Sequence, residues 1–191
     1  MIEFKAGEYY ILIKDEPDYN MNSSDNKKYD RVLCLVEKFD YNRTISLEVE
    51  KDGIIKTIAV IIPYYTPIMD FYIILDDEHI LFMFDYCICI FELSSMNITN
   101  SKIIEHLGTM FEIHPYNNDF IIYGEMEIFR ISKELSVIWK FSGRDIFVNC
   151  NSDKQPFMMK SDRICLYDFI GNYYEINYDG MLLTDISIHG A

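Results

Sequence analysis

Three stretches of this chain begin alike and recur at nearly even spacing. Glu78-His79-Ile80, Asn118-Asp119-Phe120 and Ser161-Asp162-Arg163-Ile164 each set polar residues ahead of an apolar run, and Ile80, Phe120 and Ile164 lie 40 and 44 residues apart. About a dozen positions later a second run follows each: Phe91-Glu92-Leu93-Ser94, Phe129-Arg130-Ile131-Ser132 and Tyr174-Glu175-Ile176-Asn177. A third comes near 103–107, 137–141 and 181–186, with Tyr178-Asp179-Gly180 an explicit turn before the last. Runs at 71–75, 110–114 and 146–150 precede the units and give each four strands. A period of ~40–45 residues carrying four short antiparallel strands is the spacing of a propeller blade. Such units bury one face against a neighbour and do not stand alone. Three do not close a ring, since propellers have at least ~4 blades.

Residue types agree with extended structure. The chain has 30 Ile, 29 aromatics and only 3 Ala. β-Branched and aromatic side chains fit a pleated, half-buried surface and lose rotamer freedom in helices. Ahead of the repeats, residues 9–14 and 31–38 read as strands separated by a polar loop at 14–30. Ile45, Leu47 and Val49 alternate with Ser46, Glu48 and Glu50, the period-2 pattern of a half-buried strand. Lys51-Asp52-Gly53 then turns the chain into a partner strand at 54–62. Pro63 and Pro67 mark a seam, because neither donates to a central ladder. The expected fold is all-β, an antiparallel meander with about three to four propeller-blade-like repeats. Residues 1–66 form an N-terminal β-hairpin region that packs as a cap or divergent blade, and 67–191 hold the four-stranded repeats, in one compact domain overall.

Thirty-one acids against seventeen bases leave a net charge of −14. A surface of that sign repels phosphate backbones and anionic headgroups, so neither nucleic acid nor a membrane is an expected partner, whereas a basic protein would be drawn in. The start of the chain lacks a basic segment followed by a sustained apolar one. No apolar run reaches the ~18 residues of a membrane helix. The five cysteines show no paired framework, and the expected location is cytoplasmic, where the Asn-x-Ser/Thr triplets at Asn22, Asn42 and Asn97 carry no meaning.

No side-chain pattern nominates a catalytic group, a metal or a cofactor. Cys87 and Cys89 share a strand face but lack the companion ligands of a zinc site, and read as buried thiols. His79, His106, His114 and His189 are scattered, and no nucleophile elbow or glycine-rich phosphate loop occurs. Glu125 and Glu127 share a strand face, and Asp76-Asp77-Glu78 clusters acids, but neither sits in a calcium-type loop. A hydrolase would need such carboxylates gathered in a cleft with one pKa raised. Gly143-Arg144-Asp145 is the most distinctive polar word. It follows the strand carrying Trp139, and Trp and Arg are the residue types that anchor interfaces.

Four stretches together, Ile62-Pro63-Tyr64-Tyr65, Asp76-Asp77-Glu78, the run from Trp139-Lys140-Phe141-Ser142 through Gly143-Arg144-Asp145 to Val148, and Leu166-Tyr167-Asp168-Phe169 through Tyr174, resemble a group of small, acidic, uncharacterised bacterial proteins with propeller-like repeats. Some of these resemble immunity proteins that neutralise polymorphic or contact-dependent toxins. The resemblance covers roughly the last two thirds of the chain. It implies a binding role and supplies no catalytic residues. The expected function is therefore a non-enzymatic, immunity-type inhibitor whose acidic surface binds a basic bacterial toxin. The alternative is a small-ligand or peptide-binding propeller-like module. Trp139, Arg144, Asp145, Asp76, Asp77 and Glu78 are the candidate interaction residues.

Overall fold

Alternating burial along extended segments gives every sheet its inner face, and isoleucine supplies most of it. The computed structural model describes residues 1–20, 23–35, 42–63, 71–148 and 154–188. All regular structure in them is β. The chain forms two compact units, Met1–Ile103 and Ile104–Ala191. The expected boundary at 66 and 67 lies outside the described residues.

The first unit holds two sheets. One comprises β1 (Ile2–Ala6), β2 (Tyr9–Asp15), β3 (Arg31–Cys34), β4 (Asn42–Lys51) and β5 (Ile54–Pro63), in the order β1-β2-β4-β5-β3. The other is a meander of β6 (Tyr72–Ile74), β7 (His79–Phe84), β8 (Cys87–Glu92) and β9 (Asn97–Ile103). The alternation read from β4 is correct: Ile45, Leu47 and Val49 lie in the core with Ile11, Ile58, Phe82 and Phe91 from both sheets. The five-stranded sheet is more than hairpins, because β3 runs parallel to β5. Asp30 fixes that crossover by accepting the backbone N–H of Thr57 at 2.8 Å.

The second unit holds two further meanders. One is β10 (Met110–Tyr116), β11 (Asp119–Gly124), β12 (Glu127–Ile131) and β13 (Val137–Ser142); the other is β14 (Phe157–Met159), β15 (Arg163–Tyr167), β16 (Tyr173–Asn177) and β17 (Leu182–Ile186). Ile121, Ile128, Phe147, Ile164, Leu166 and Ile176 form the core between them. The fold is all-β, and the described residues form one five-stranded sheet and three four-stranded, propeller-blade-like meanders.

The repeat is visible in hydrogen-bond register. Ile80 pairs with Phe91, Phe120 with Ile131 and Ile164 with Ile176. In each meander the third-to-fourth pairing slips at the same place, between Ile90 and Phe91, Arg130 and Ile131, and Glu175 and Ile176. Phe91, rather than Leu93, is therefore the equivalent of Ile131. A shift of two residues preserves which face a side chain occupies, so the apolar alternation fits either alignment.

Two expected strands lie elsewhere. The fourth strand of the first meander is β9, upstream of 103–107, because Met96 adopts φ 53° and turns the chain without a glycine. The leading strand of the last meander is β14 instead of 146–150. Phe147 inserts its ring into the core, and its carbonyl accepts the Tyr123 hydroxyl. Positions 149 and 150 lie outside the described residues.

Candidate binding site

The outer face of the five-stranded sheet is set by the residues between its core positions. Register places Glu3, Leu12, Glu48 and Thr57 in one cross-strand row, and Lys5, Tyr10, Glu50 and Ile55 in the next. Tyr10 and Ile55 are exposed. Together these rows line a groove of about 200 Å³ in which Glu3, Glu48 and Glu50 stand beside Tyr10, Leu12 and Ile55. Lys14 neutralises Glu48 at 2.6 Å, while Lys5 lies 5.2 Å from the Tyr10 ring centre. Glu3 and Glu50 make no ion pair among the described residues.

Further along the same face residues 15–20 and 23–30 fold over β4. Ser46 donates to Glu16 at 2.7 Å, and this cover leaves Thr44, Ser46 and Ala59 buried on a face that would otherwise meet water. Burial and the Glu16 carboxylate both push the Tyr29 hydroxyl above its ordinary pKa. For Glu16 burial acts upward, but hydrogen bonds from Ser46 and Lys27 outweigh it and hold the carboxyl below its usual range. The cover leaves a hollow of about 540 Å³ lined by Pro17, Asp18, Tyr19, Asn20, Asn42 and Thr44, among others. An adjoining one of about 340 Å³ adds Asp15, Glu16 and Arg43. Their walls are polar and acidic, with Tyr19 the one aromatic among the described lining residues. A separate cavity of about 60 Å³ beside Phe71 and Phe84 is far below the ~300 Å³ of a small-molecule site.

The six candidate residues are distributed over both units. Asp76, Asp77 and Glu78 occupy the turn before β7. Asp76 accepts the backbone N–H groups of Glu78 and His79 at 2.8 Å each and meets the His79 ring at 2.9 Å. Burial opposes ionisation there, but these donors prevail and lower its pKa. Asp77 packs where a side chain on Gly7 would collide with it. Asp76 thus shapes the turn, and all three acids remain exposed to solvent.

Trp139 and Arg144 connect the two sheets of the second unit. The Trp139 indole N–H donates to the Tyr178 carbonyl at 2.9 Å, and Gly180 lies against its ring. Arg130, which sequence reasoning did not single out, donates to the same carbonyl at 2.8 Å and to Asp119 at 2.7 Å. Tyr116 stacks on Tyr178 at 3.9 Å. Arg144 grips Asp185 through two bonds of 2.6 Å and lies over the Tyr174 ring. Among the described residues Asp145 accepts only the next backbone N–H, that of Ile146, at 2.8 Å. Tyr174 donates onward to buried Asp168, which also receives two bonds from Asn172. The Arg130 role was hidden because the Tyr178 carbonyl comes from a turn 48 residues away.

Other chemistry-bearing residues are similarly occupied. Glu127 takes the N–H of Leu107 and an ion pair from Lys140, and Glu125 takes the N–H of Thr109, so both pin the chain at 104–109. Burial pushes the Cys87 thiol up to about 11 and Cys89 well above its ordinary value, which disfavours the reactive thiolate. Among the described residues no three His, Cys, Asp or Glu side chains converge as a metal site. His189 lies outside them. Nor is there among them a helix long and apolar enough to cross a membrane.

No protein-family model and no curated protein matches this chain. Among solved structures it is similar to Hsv2 of Kluyvelomyces marxianus, at 6% identity over 74% of this chain and 46% of that one, with a TM-score of 0.42. It is similar also to the dihydro-heme d1 dehydrogenase NirN in complex with DHE, at 12% identity, 76% and 35% coverage and a TM-score of 0.48. BamB from Moraxella catarrhalis follows at 8% identity, 98% and 75% coverage and a TM-score of 0.45. The chain spans less than half the length of the first two.

Proposed function

We propose that this chain is a non-enzymatic binding protein that captures a basic protein on the outer face of its five-stranded sheet. The observation that carries this reading is the groove that Glu3, Glu48 and Glu50 line together with Tyr10 and Ile55. The unpaired carboxylates of Glu3 and Glu50 suit the ammonium or guanidinium of a Lys or Arg, while Tyr10 and Ile55 beside them suit the methylene stem of the same side chain. The net charge of −14 extends the attraction beyond contact range. The resemblance to toxin-immunity proteins makes a basic bacterial toxin the preferred partner, inhibited by occlusion. The polar hollow beside Tyr19 favours this reading over a small-ligand site, since ligand pockets are predominantly apolar and aromatic.

The test is co-purification with the product of a neighbouring toxin-like reading frame. The wild-type chain should retain it, and a Glu3→Lys/Glu50→Lys double variant, altered only at exposed positions, should lose about tenfold in association rate at low salt. Undiminished capture by the folded double variant would move the interface off this groove.

A further inference from the structure

Strands that end a sheet present unpaired N–H and C=O groups, and proteins usually guard them. Among the described residues, every sheet-ending strand except β17 carries such a guard. β1, β3, β9 and β13 hold Lys5, Arg31, Lys102 and Lys140. β6 and β14 are three residues long. β10 contains Pro115 and a register break after Met110. β17 has five residues, no proline and no base. Its one charge, Asp185, is bound by both Arg144 guanidinium nitrogens of its own chain.

The side chains on this edge are apolar and in water. Met181, Leu182, Leu183, Ile186 and Ile188 are 48–59% exposed. Ile188 crosses Gly171, which leads the patch toward the exposed Ile170. At that exposure each leaves on the order of 100 Å², so the five give about 500 Å² per chain along the edge, shared between its two faces.

We propose that β17 is a self-association edge, on which two copies of this chain join by antiparallel pairing of their β17 strands about a two-fold axis. Two such edges together bury up to about 1,000 Å², the lower limit for a biological interface. Charge points to the same occupant. Two copies each carrying −14 repel over most of their surfaces, and they meet without penalty only where the local charge is already cancelled. A two-fold arrangement consumes both edges and closes as a dimer, whereas pairing with a different edge would leave one free and propagate. This proposal is independent of the acidic groove.

Sedimentation velocity of the full chain at roughly 50 µM tests it, a concentration suited to an interface of this modest area. The expected species has twice the 22.7 kDa chain mass, and Leu183→Lys/Ile186→Lys should return it to 22.7 kDa with an unchanged circular dichroism spectrum. Ile103→Lys, an exposed apolar position on a guarded edge, should remain dimeric. Hydrogen exchange on the unaltered chain gives a second readout: amides at 182–186 should gain protection as concentration rises. A 22.7 kDa wild type, a dimer that survives the double variant or is lost in Ile103→Lys, or protection that ignores concentration overturns the proposal.

Discussion

Arg144 shows how a residue type suggestive of an interface is used when its neighbours are known. Its guanidinium lowers the Asp185 pKa chiefly through the paired hydrogen bonds. A carboxyl whose folded pKa is depressed stabilises the fold above its unfolded value of ~3.9, and that contribution is lost as pH falls through the folded pKa. Arg144→Ala should therefore melt slightly below wild type at pH 6, and the gap should narrow as the pH approaches 2. The gap stays small because both side chains are partly in water. Thermal melts followed by circular dichroism measure it; a gap equal at both pH values contradicts the clamp. Spacing could place Trp139 in a strand and Arg144 just beyond it, but it could not supply Asp185 or Tyr178. Those partners arrive only when the last meander folds against the one before it.

At the scale of the element, turns explain most of what the sequence revealed and concealed. Lys51-Asp52-Gly53 and Tyr178-Asp179-Gly180 announce themselves, with Gly53 and Gly180 both at positive φ. Met96 and Leu135 turn the chain in the same left-handed region without glycine, so the start of β9 could not be found from composition. The parallel crossover of β3 was equally hidden, since hydrophobic alternation carries no strand order. The two announced turns differ in what surrounds them. A Cβ on Gly53 meets nothing within 4 Å, whereas one on Gly180 would lie 2.8 Å from the Trp139 ring. Gly180→Ala should cost about 1–3 kcal/mol from strain plus collision, and Gly53→Ala should cost less, from strain alone. Urea unfolding monitored by emission of Trp139, the chain's one tryptophan, reads the first, and circular dichroism compares both. Equal losses would remove the collision.

For the whole molecule, the blade-like repeat was readable because its spacing recurs in three independent stretches, and register pairs Ile80, Phe120 and Ile164 with equivalent partners. The groove was not readable. Glu3 belongs to β1, a strand that the expected N-terminal hairpins did not include, and it reaches Glu48 only because β2 lies between them. Global charge pointed to a basic partner without saying where. The kinetics of association with such a partner join these two scales. The association rate constant should fall at least tenfold between about 20 and 500 mM NaCl, with dissociation changing far less, and Glu3→Lys/Glu50→Lys should flatten that dependence. An association rate indifferent to salt, or an acidic partner bound equally well by both proteins, would contradict electrostatic capture on the five-stranded sheet.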